Sequence, residues 1–280
     1  MPIIDFRYRP STRESIDSVM TNPVYSEYVK LTDFPKRPVK SLDACIEELK
    51  ELGIVKAVVA GRDCESSYDT PNTNTSVLEC IEKAPDLFIG FYGFDPGKGM
   101  PGLRAFRTAV ERDGMRGASI DPCMAHCRVS DARYYPLYAA CCDYEIPVII
   151  TAGLSPHMPG VILDHMDPRY VDMVARDFPE LRILISHGGY PWVNEAVAVV
   201  MRNRNVYLDF STCESKLFGE FYIKAANTCI TDKVVFSSAN PFVEVAKAVK
   251  KYEELELTQE VREKLFYQNG IRFLGLANKL

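Results

Sequence analysis

Short apolar segments alternate with amphipathic segments along the chain. The apolar segments are rich in β-branched and aromatic residues, and polar residues, Gly or Pro follow each of them. Several are apolar at almost every position, which is typical of parallel strands covered on both faces. We predict strands at 3–6, 54–60, 87–92, 115–120, 147–152, 182–186, 205–210 and 233–237.

The segments between these strands carry apolar residues at helical spacing, and many of them end in Gly, Pro or Asn, which commonly stop helices. We predict helices at 41–53, 75–84, 103–114, 134–145, 170–180, 193–204, 214–227 and 243–255. Eight strands that alternate with eight helices predict an α/β fold, a single (β/α)8 TIM barrel that spans residues 1–280.

Composition restricts the function classes. The chain has 280 residues, 47% of them hydrophobic and 25% charged, which is ordinary for a globular protein. A net charge of −5 with dispersed Lys and Arg argues against a nucleic acid or a membrane surface as partner. No apolar run reaches the roughly 18–20 residues of a membrane span. Nine cysteines without a disulfide spacing predict a cytoplasmic protein.

Candidate functional residues follow the predicted strands, because the reacting groups of such barrels lie at the carboxyl ends of the strands. In the first strand, "IIDFRYRP", Arg7 and Arg9 are two residues apart and point to the same side. The other candidates at strand ends are Arg62, Asp63, Asp121, Thr151, His187, Asp209 and Asn240.

Five sequence blocks carry a family resemblance. They are "ARYYPLYAACCDYEIPVIITAG" (132–153), "SHGGYPWVNEAV" (186–197), "VYLDFST" (206–212), "VVFSSANPF" (234–242) and "YQNGIRFLGL" (267–276). Together they resemble the amidohydrolase-2 branch of the amidohydrolase superfamily, in the expected order over nearly the whole chain. The resemblance implies a TIM barrel in which a metal ion activates water. The implied ligands are a His-x-His on strand one, a His ending each of strands five and six, and an Asp ending strand eight.

This chain departs from the implied ligand set at most positions. Arg7 and Arg9 stand at the His-x-His positions, Thr151 at the strand-five position and Ala239 at the strand-eight position, and His187 matches. A guanidinium is always protonated and has no lone pair for a cation. We therefore expect a degenerate metal site and no metal cofactor. The alternative is zinc at "CMAHC", held by Cys123, His126 and Cys127, although this spacing lacks a second ligand pair.

The pair Arg7 and Arg9 predicts an anion-binding site. Arg7 and Arg9 are expected to bind a carboxylate through a bidentate fork. The alternative is an ionic scaffold in which they pair with Asp5, Asp63 or Asp209. The remaining expected substrate-binding residues are Arg62, Asp121, Thr151 and Asn240. Two of them have structural alternatives: Asp121 is equally suited to cap a helix, and Asn240 is equally suited to a turn before Pro241.

His187 is the main catalytic candidate, since imidazole works as a general acid or base near neutral pH. Asp209 could orient it, and Asp63 could serve as a further acid or base. The structural alternatives are a hydrogen-bonded core histidine for His187, a turn cap for Asp209 and a helix cap for Asp63. His157 in "GLSPHMPG" could cover the pocket or be a solvated loop residue.

These residues predict a hydrolase, of lactonase or isomerase type, that acts on a small carboxylate-bearing substrate without the family metal. The alternatives are a decarboxylase or another lyase of the same branch, and a non-catalytic barrel that binds carboxylates. The aromatic segment "FGEFY" (218–222) is compatible with a homo-oligomer and equally with packing of a helix on the barrel.

Overall fold

The computed structural model describes residues 1–153 and 160–276, and these contain one curled sheet of seven strands. The strands are hydrogen-bonded in chain order, and every neighbouring pair is parallel. Their bounds are β1 (Ile3–Tyr8), β2 (Ile54–Ala60), β3 (Phe88–Gly93), β4 (Ala118–Ile120), β5 (Val148–Thr151), β6 (Ile183–Ser186) and β7 (Val206–Leu208). Seven of the eight predicted strands are present, and β4 and β7 are shorter than predicted.

The predicted strand at 233–237 is not a regular strand, but its backbone still joins β7 to β1. Leu208 donates its N–H to the carbonyl of Lys233 over 2.9 Å, and Phe6 donates to Phe236 over 3.0 Å. One parallel bridge pairs Leu208 with Val234. The ladder is interrupted at Ser238, whose N–H donates to the side chain of Asp5 over 2.9 Å, and Arg9 then donates its N–H to the carbonyl of Asn240 over 3.1 Å. The architecture is that of the α/β TIM barrel predicted from the sequence.

Helices cover the outside of the sheet. Within the described residues they are α1 (Arg13–Met20), α2 (Ser26–Leu31), α3 (Leu42–Glu51), α4 (Glu65–Tyr68), α5 (Asn74–Lys83), α6 (Gly99–Glu111), α7 (Tyr135–Asp143), α8 (Arg169–Asp177), α9 (Val193–Arg202), α10 (Glu220–Ala226), α11 (Val245–Glu253), α12 (Gln259–Glu263) and α13 (Asn269–Leu274). A π-helical turn (Lys264–Gln268) joins the last two. None of the helices seen in 1–153 and 160–276 has the length and apolar character that a membrane crossing requires.

The helix predicted at 214–227 begins late, at Glu220. Thr212 and Phe218 both have positive φ angles, of 66° and 67°, so the chain turns here instead of continuing as a helix. Gly219 packs directly on the backbone of this turn, where an added Cβ would lie 2.5 Å from the carbonyl oxygens of Cys213 and Glu214. Only glycine fits this position without a shift.

Helices α1 and α2, which the sequence analysis did not predict, lie over the open end of the barrel. Thr12 caps α1 by accepting the N–H of Ser15 over 3.4 Å. An aromatic cluster around α2 connects this segment to the chain after β7, because the rings of Tyr25, Tyr28 and Phe34 all lie within 5.4–5.5 Å of the Phe242 ring. The segment between β1 and α3 therefore forms one wall above the strands.

Candidate functional site

A cavity of about 310 Å³ opens at the carboxyl ends of the strands, next to Tyr25 and Tyr28 at α2. Six of the nine predicted site residues line it: Arg7, Arg9, Arg62, Asp121, Thr151 and His187. The position agrees with the general rule that βα loops carry the site in this fold. Asp63, Asp209 and Asn240 are buried but do not line the cavity.

Three buried arginines form the floor of the cavity around one carboxylate. Asp121 lies 3.4 Å from Nε of Arg62 and 3.9 Å from Nη2 of Arg7. Arg9 donates its Nε–H to the carbonyl of Ala60 over 3.0 Å. The guanidinium of Arg62 also lies over the Tyr25 ring, at 5.1 Å from its centre. The expected scaffold partners Asp5, Asp63 and Asp209 do not form these ion pairs.

The floor has an excess of positive charge, which shifts the pKa values of Arg9 and Asp121. Burial lowers the pKa of the Arg9 guanidinium well below its usual value, and the charges of Arg62 and Arg7 lower it further. Burial opposes ionisation of Asp121, but the arginines outweigh it and lower the pKa of that carboxyl to about 2. Within the described part of the chain, Nη1 of Arg7 and Nη2 of Arg9 are buried without a hydrogen-bond partner. A bound anion is one kind of partner that satisfies such donors.

The wall above the arginines is apolar and largely aromatic. Tyr25, Tyr28, Met124, Phe242 and Val243 line the cavity on this side. None of these residues was predicted from the sequence. The spacing of Tyr25 and Tyr28, three positions apart, is the signal that could have identified a short helix with one aromatic face. The cavity thus combines a cationic floor with an apolar wall.

His187 lines the cavity from the end of β6, and its side chain is half-buried. Burial lowers the pKa of the imidazole to about 4. The charge of Arg7 lowers this pKa further, and the charge of Asp209 opposes the shift. Its backbone has a φ of 65°, and Gly153 makes room for it, since a Cβ on Gly153 would lie 2.2 Å from the His187 Cβ. The imidazole is therefore neutral at pH 7 and held between β5 and β7.

Asp209 lies behind His187 without touching its ring. Its Oδ1 accepts the backbone N–H of His187 over 3.3 Å and the hydroxyl of Ser211 over 2.5 Å. Nδ1 of His187 lies 3.0 Å from the same hydroxyl and 3.2 Å from the carbonyl oxygen of Ser211. Asp209 thus orients His187 through the backbone and through Ser211.

Asp63 and Asn240 are placed in structural contacts. Asp63 pairs with Lys98 over 2.7 Å, and its Oδ1 accepts the N–H of Glu65 over 3.3 Å at the start of α4. Asn240 donates its amide to the carbonyl of Arg9 over 2.5 Å and to the hydroxyl of Ser11 over 3.2 Å. The contact of Asp63 at the start of α4 is of the kind that a helix cap makes, whereas Asn240 contacts the segment after β1, which was not among the alternatives stated above. Asn240 nonetheless supports the site by fixing the backbone of Arg9.

The cavity includes further residues that the sequence analysis did not select. Thr212 and Lys216 line it next to His187, and Cys123 lines it next to Met124. Lys216 adds a fourth positive charge, and its Nζ lies 4.8 Å from the centre of the Tyr190 ring. Burial raises the pKa of the Cys123 thiol to about 12, so this cysteine is protonated and unreactive. His157 lies outside the described residues.

The chain belongs to the amidohydrolase family, whose model, described as Amidohydrolase, matches residues 26–276. The class that the fold and cavity define is therefore an amidohydrolase-family TIM barrel, as the sequence blocks indicated. None of the curated proteins matches the chain.

Solved structures share the fold over the whole chain. An uncharacterised TIM-barrel protein of Bordetella bronchiseptica is 27% identical, with a TM-score of 0.77 over 99% of this chain and 100% of that one. A dihydroxybenzoic acid decarboxylase of Polaromonas sp. JS666, with bound manganese and 2-nitroresorcinol, is 16% identical, with a TM-score of 0.69 over 98% and 97%. A 5-carboxyvanillate decarboxylase of Novosphingobium aromaticivorans, complexed with manganese, is 17% identical, with a TM-score of 0.71 over 98% and 96%.

The expectation of no metal cofactor is corrected by these structures. Both decarboxylases hold manganese, so the comparison points to a metal cofactor in barrels of this kind. The donor set of this chain does not fit that ion in the family manner: Arg7 and Arg9 offer only N–H donors, and Ala239 offers no side-chain ligand. Among residues 1–153 and 160–276, no group of three or more His, Cys, Asp or Glu side chains is placed to hold a metal.

The zinc alternative at "CMAHC" finds no support in the described residues. Cys123 and Cys127 are both buried, whereas His126 is exposed and its Nε2 lies 3.0 Å from the Tyr68 hydroxyl. His126 also has a φ of 52°, which turns the loop between the two cysteines. The three side chains do not converge on one point as tetrahedral zinc requires.

Proposed function

We propose that this protein is a lyase that removes CO2 from a small carboxylate with an aromatic or otherwise apolar body. The observation that carries the proposal is the cavity itself, in which Arg7, Arg9 and Arg62 outnumber the single carboxylate of Asp121 beneath an apolar wall. A carboxylate would satisfy the unpartnered nitrogens of Arg7 and Arg9.

The aromatic wall selects the body of the substrate. Tyr25, Tyr28 and Phe242 present ring faces and edges over a space of about 310 Å³, which suits a single substituted ring. The fold relatives named above as decarboxylases act on ring carboxylates by their names, and they support decarboxylation better than lactone hydrolysis or isomerisation.

In this reaction the bond between the substrate carbon and its carboxylate breaks, CO2 leaves, and the electron pair stays on the carbon until a proton replaces the CO2. The arginines bind and orient the carboxylate, and the apolar wall excludes water from the carbon. We assign the supply of this proton to His187, whose side chain lines the cavity at the end of β6. The negative charge of a bound carboxylate favours the imidazolium, so Nε2 takes up a proton from solvent when the substrate binds and gives it to the carbon as CO2 leaves.

A second candidate, opening of a carboxylate-bearing lactone or ester, is favoured by one observation. Nδ1 of His187 is engaged with Ser211, which leaves Nε2 as the ring nitrogen available to accept a proton from water. In this case the arginine floor would stabilise the oxyanion that develops at the carbonyl.

The test uses the full-length protein with a panel of carboxyl-labelled aromatic and aliphatic acids and aromatic lactones, each with and without added manganese. Release of labelled CO2 from an aromatic acid, lost in His187→Gln and in the double variant R7M/R9M, is the expected result. Acid release from a lactone identifies the second candidate instead. Binding of a carboxylate by calorimetry without any turnover would overturn both and identify a binding protein.

The matched control is Arg104→Met, which removes an exposed arginine on α6 that does not line the cavity. It should bind and turn over the same acids as the unchanged protein. A loss of binding in this variant as well would show that general positive charge, and not the arginine floor, attracts the acids.

A further inference from the structure

We propose that Ser211 is a positioning residue that fixes the proton of His187 on Nδ1 and thereby leaves the lone pair of Nε2 for the cavity. The use of that lone pair rests on the function proposed above, but the position of the proton does not.

The carbonyl oxygen and the hydroxyl oxygen of Ser211 both lie beside Nδ1 of His187. The carbonyl oxygen of Ser211, 3.2 Å away, can only accept a hydrogen bond. A neutral imidazole carries one N–H, and the partner of one nitrogen decides the state of the other. Because Nδ1 faces this carbonyl, the favoured tautomer has its proton on Nδ1.

The Ser211 hydroxyl is oriented by its two neighbours, Asp209 and His187. It lies 2.5 Å from Oδ1 of Asp209, which accepts it, and 3.0 Å from Nδ1 of His187. Since its proton points to Asp209, its lone pairs face the ring and accept from Nδ1–H. The backbone N–H of Ser211 donates to the same carboxylate over 3.0 Å, which holds Oδ1 of Asp209 beside the hydroxyl.

Both oxygens beside Nδ1 belong to Ser211, which is buried and only 1% exposed. Asp209 does not reach the ring, so its hydrogen-bonded connection to the imidazole runs through this hydroxyl. A chain from imidazole to hydroxyl to carboxylate therefore sets the tautomer, in the way that a carboxylate or carbonyl fixes histidines elsewhere.

The experiment is nitrogen NMR of the full-length protein labelled at its four histidines, at pH 7 without substrate, with the His187 signals assigned from a His187→Gln variant. The unchanged protein should show Nδ1 protonated and Nε2 unprotonated. In Ser211→Ala the carbonyl remains, and the ratio of tautomers should shift about fivefold toward Nε2–H, the effect of one neutral hydrogen bond.

Ser186→Ala is the matched control. Ser186 is a fully buried serine directly before His187, and within the described residues its hydroxyl has no hydrogen-bond partner. This variant should leave the His187 signals unchanged. If Ser211→Ala does not fold, Ser211→Cys keeps the volume with a weaker acceptor and should shift the ratio in the same direction.

Three outcomes would overturn the proposal: a proton on Nε2 in the unchanged protein, no shift in the Ser211 variants, or an equal shift in Ser186→Ala. None of these outcomes depends on turnover. The inference about Ser211 can therefore fail while the proposed lyase activity stands, and the reverse also holds.

Discussion

At the scale of single residues, the charge of the cavity floor is unbalanced without a ligand. Arg62 and Arg7 share Asp121, whereas Arg9 has a backbone carbonyl as its partner and two arginine charges nearby. Buried charges without a full set of partners cost stability, and binding of an anion recovers it. The same arginines that would bind an anion therefore lower the stability of the unliganded protein.

We expect Arg9→Met to weaken binding of a small aromatic acid at least tenfold while the free energy of unfolding of the unliganded protein stays within about 1 kcal/mol of the original. The lost hydrogen bond to Ala60 is offset by the removal of a charge that Arg62 and Arg7 repel. Calorimetry and chemical denaturation measure the two quantities. Unchanged affinity in the variant would contradict the assigned role of Arg9.

Asp5, beneath the floor, predicts a pH dependence. Burial raises its pKa to about 6, although its Oδ1 accepts the N–H groups of Arg7 and Ser238, each over 2.9 Å. The folded chain keeps a proton that the unfolded chain loses near pH 4. This group therefore stabilises the fold at low pH, and the contribution is lost as the pH rises from about 4 to about 6.

The variant Asp5→Asn cannot lose this proton. Relative to the original protein, its free energy of unfolding should rise by up to about 3 kcal/mol between pH 4 and pH 7, since two pKa units correspond to about that amount. Denaturation curves at several pH values measure the difference. A difference that does not change with pH would show that Asp5 is ionised throughout this range.

The residue patterns identified the arginine floor but not its partner. Arg7, Arg9, Arg62 and Asp121 were all selected because they follow strands, and the structure brings them together. The pairing with Asp121 could not be predicted, because any of several acids at strand ends could face the arginines and the choice depends on the curvature of the sheet. Ser211 was missed because its role depends on the position of His187 on another strand.

At the scale of elements, apolar runs and helix stop signals located the strands and most helices. The prediction failed where tertiary contacts override the local pattern. The turn at 212–219 replaces a helical start through two positive φ angles. The segment at 233–237 keeps its bonds to β7 and β1, but the N–H of Ser238 directly after it donates to Asp5, 233 residues away in sequence.

One element contact should be measurable through stability. Asn74 at the start of α5 clamps the end of β3: its Oδ1 accepts the Gly93 N–H over 2.7 Å, and its Nδ2 donates to the Gly93 carbonyl over 3.0 Å. Asn74→Ala leaves both buried groups of Gly93 without partners. The free energy of unfolding should fall by about 2–4 kcal/mol.

The control for this variant is Asn72→Ala, two residues earlier. Asn72 is only half-buried and accepts a single N–H, that of Asn74, over 3.1 Å. Its loss should cost about 1 kcal/mol or less. Equal losses in the two variants would contradict the view that the clamp on β3, and not the local turn, is what Asn74 provides.

At the scale of the whole molecule, the barrel and the segment with α1 and α2 meet at the cavity. A ligand that contacts both the arginine floor and the aromatic wall should stabilise the folded state as a unit. A ligand at a hundred times its dissociation constant adds about 2.7 kcal/mol to the free energy of unfolding. For a chain of this size that is a rise in Tm of roughly 5 °C.

We therefore expect a small aromatic acid to raise the Tm of the unchanged protein by about this amount, and less at high salt, where chloride competes for the arginines. The double variant R7M/R9M should show no rise, because its floor has lost two of its three guanidinium groups. Phe242→Ala should keep the floor and bind the acid more weakly, because the ring that joins Tyr25, Tyr28 and Phe34 is removed. A full rise in Tm for the double variant would place the acid elsewhere on the molecule and contradict the assignment of this cavity as the site.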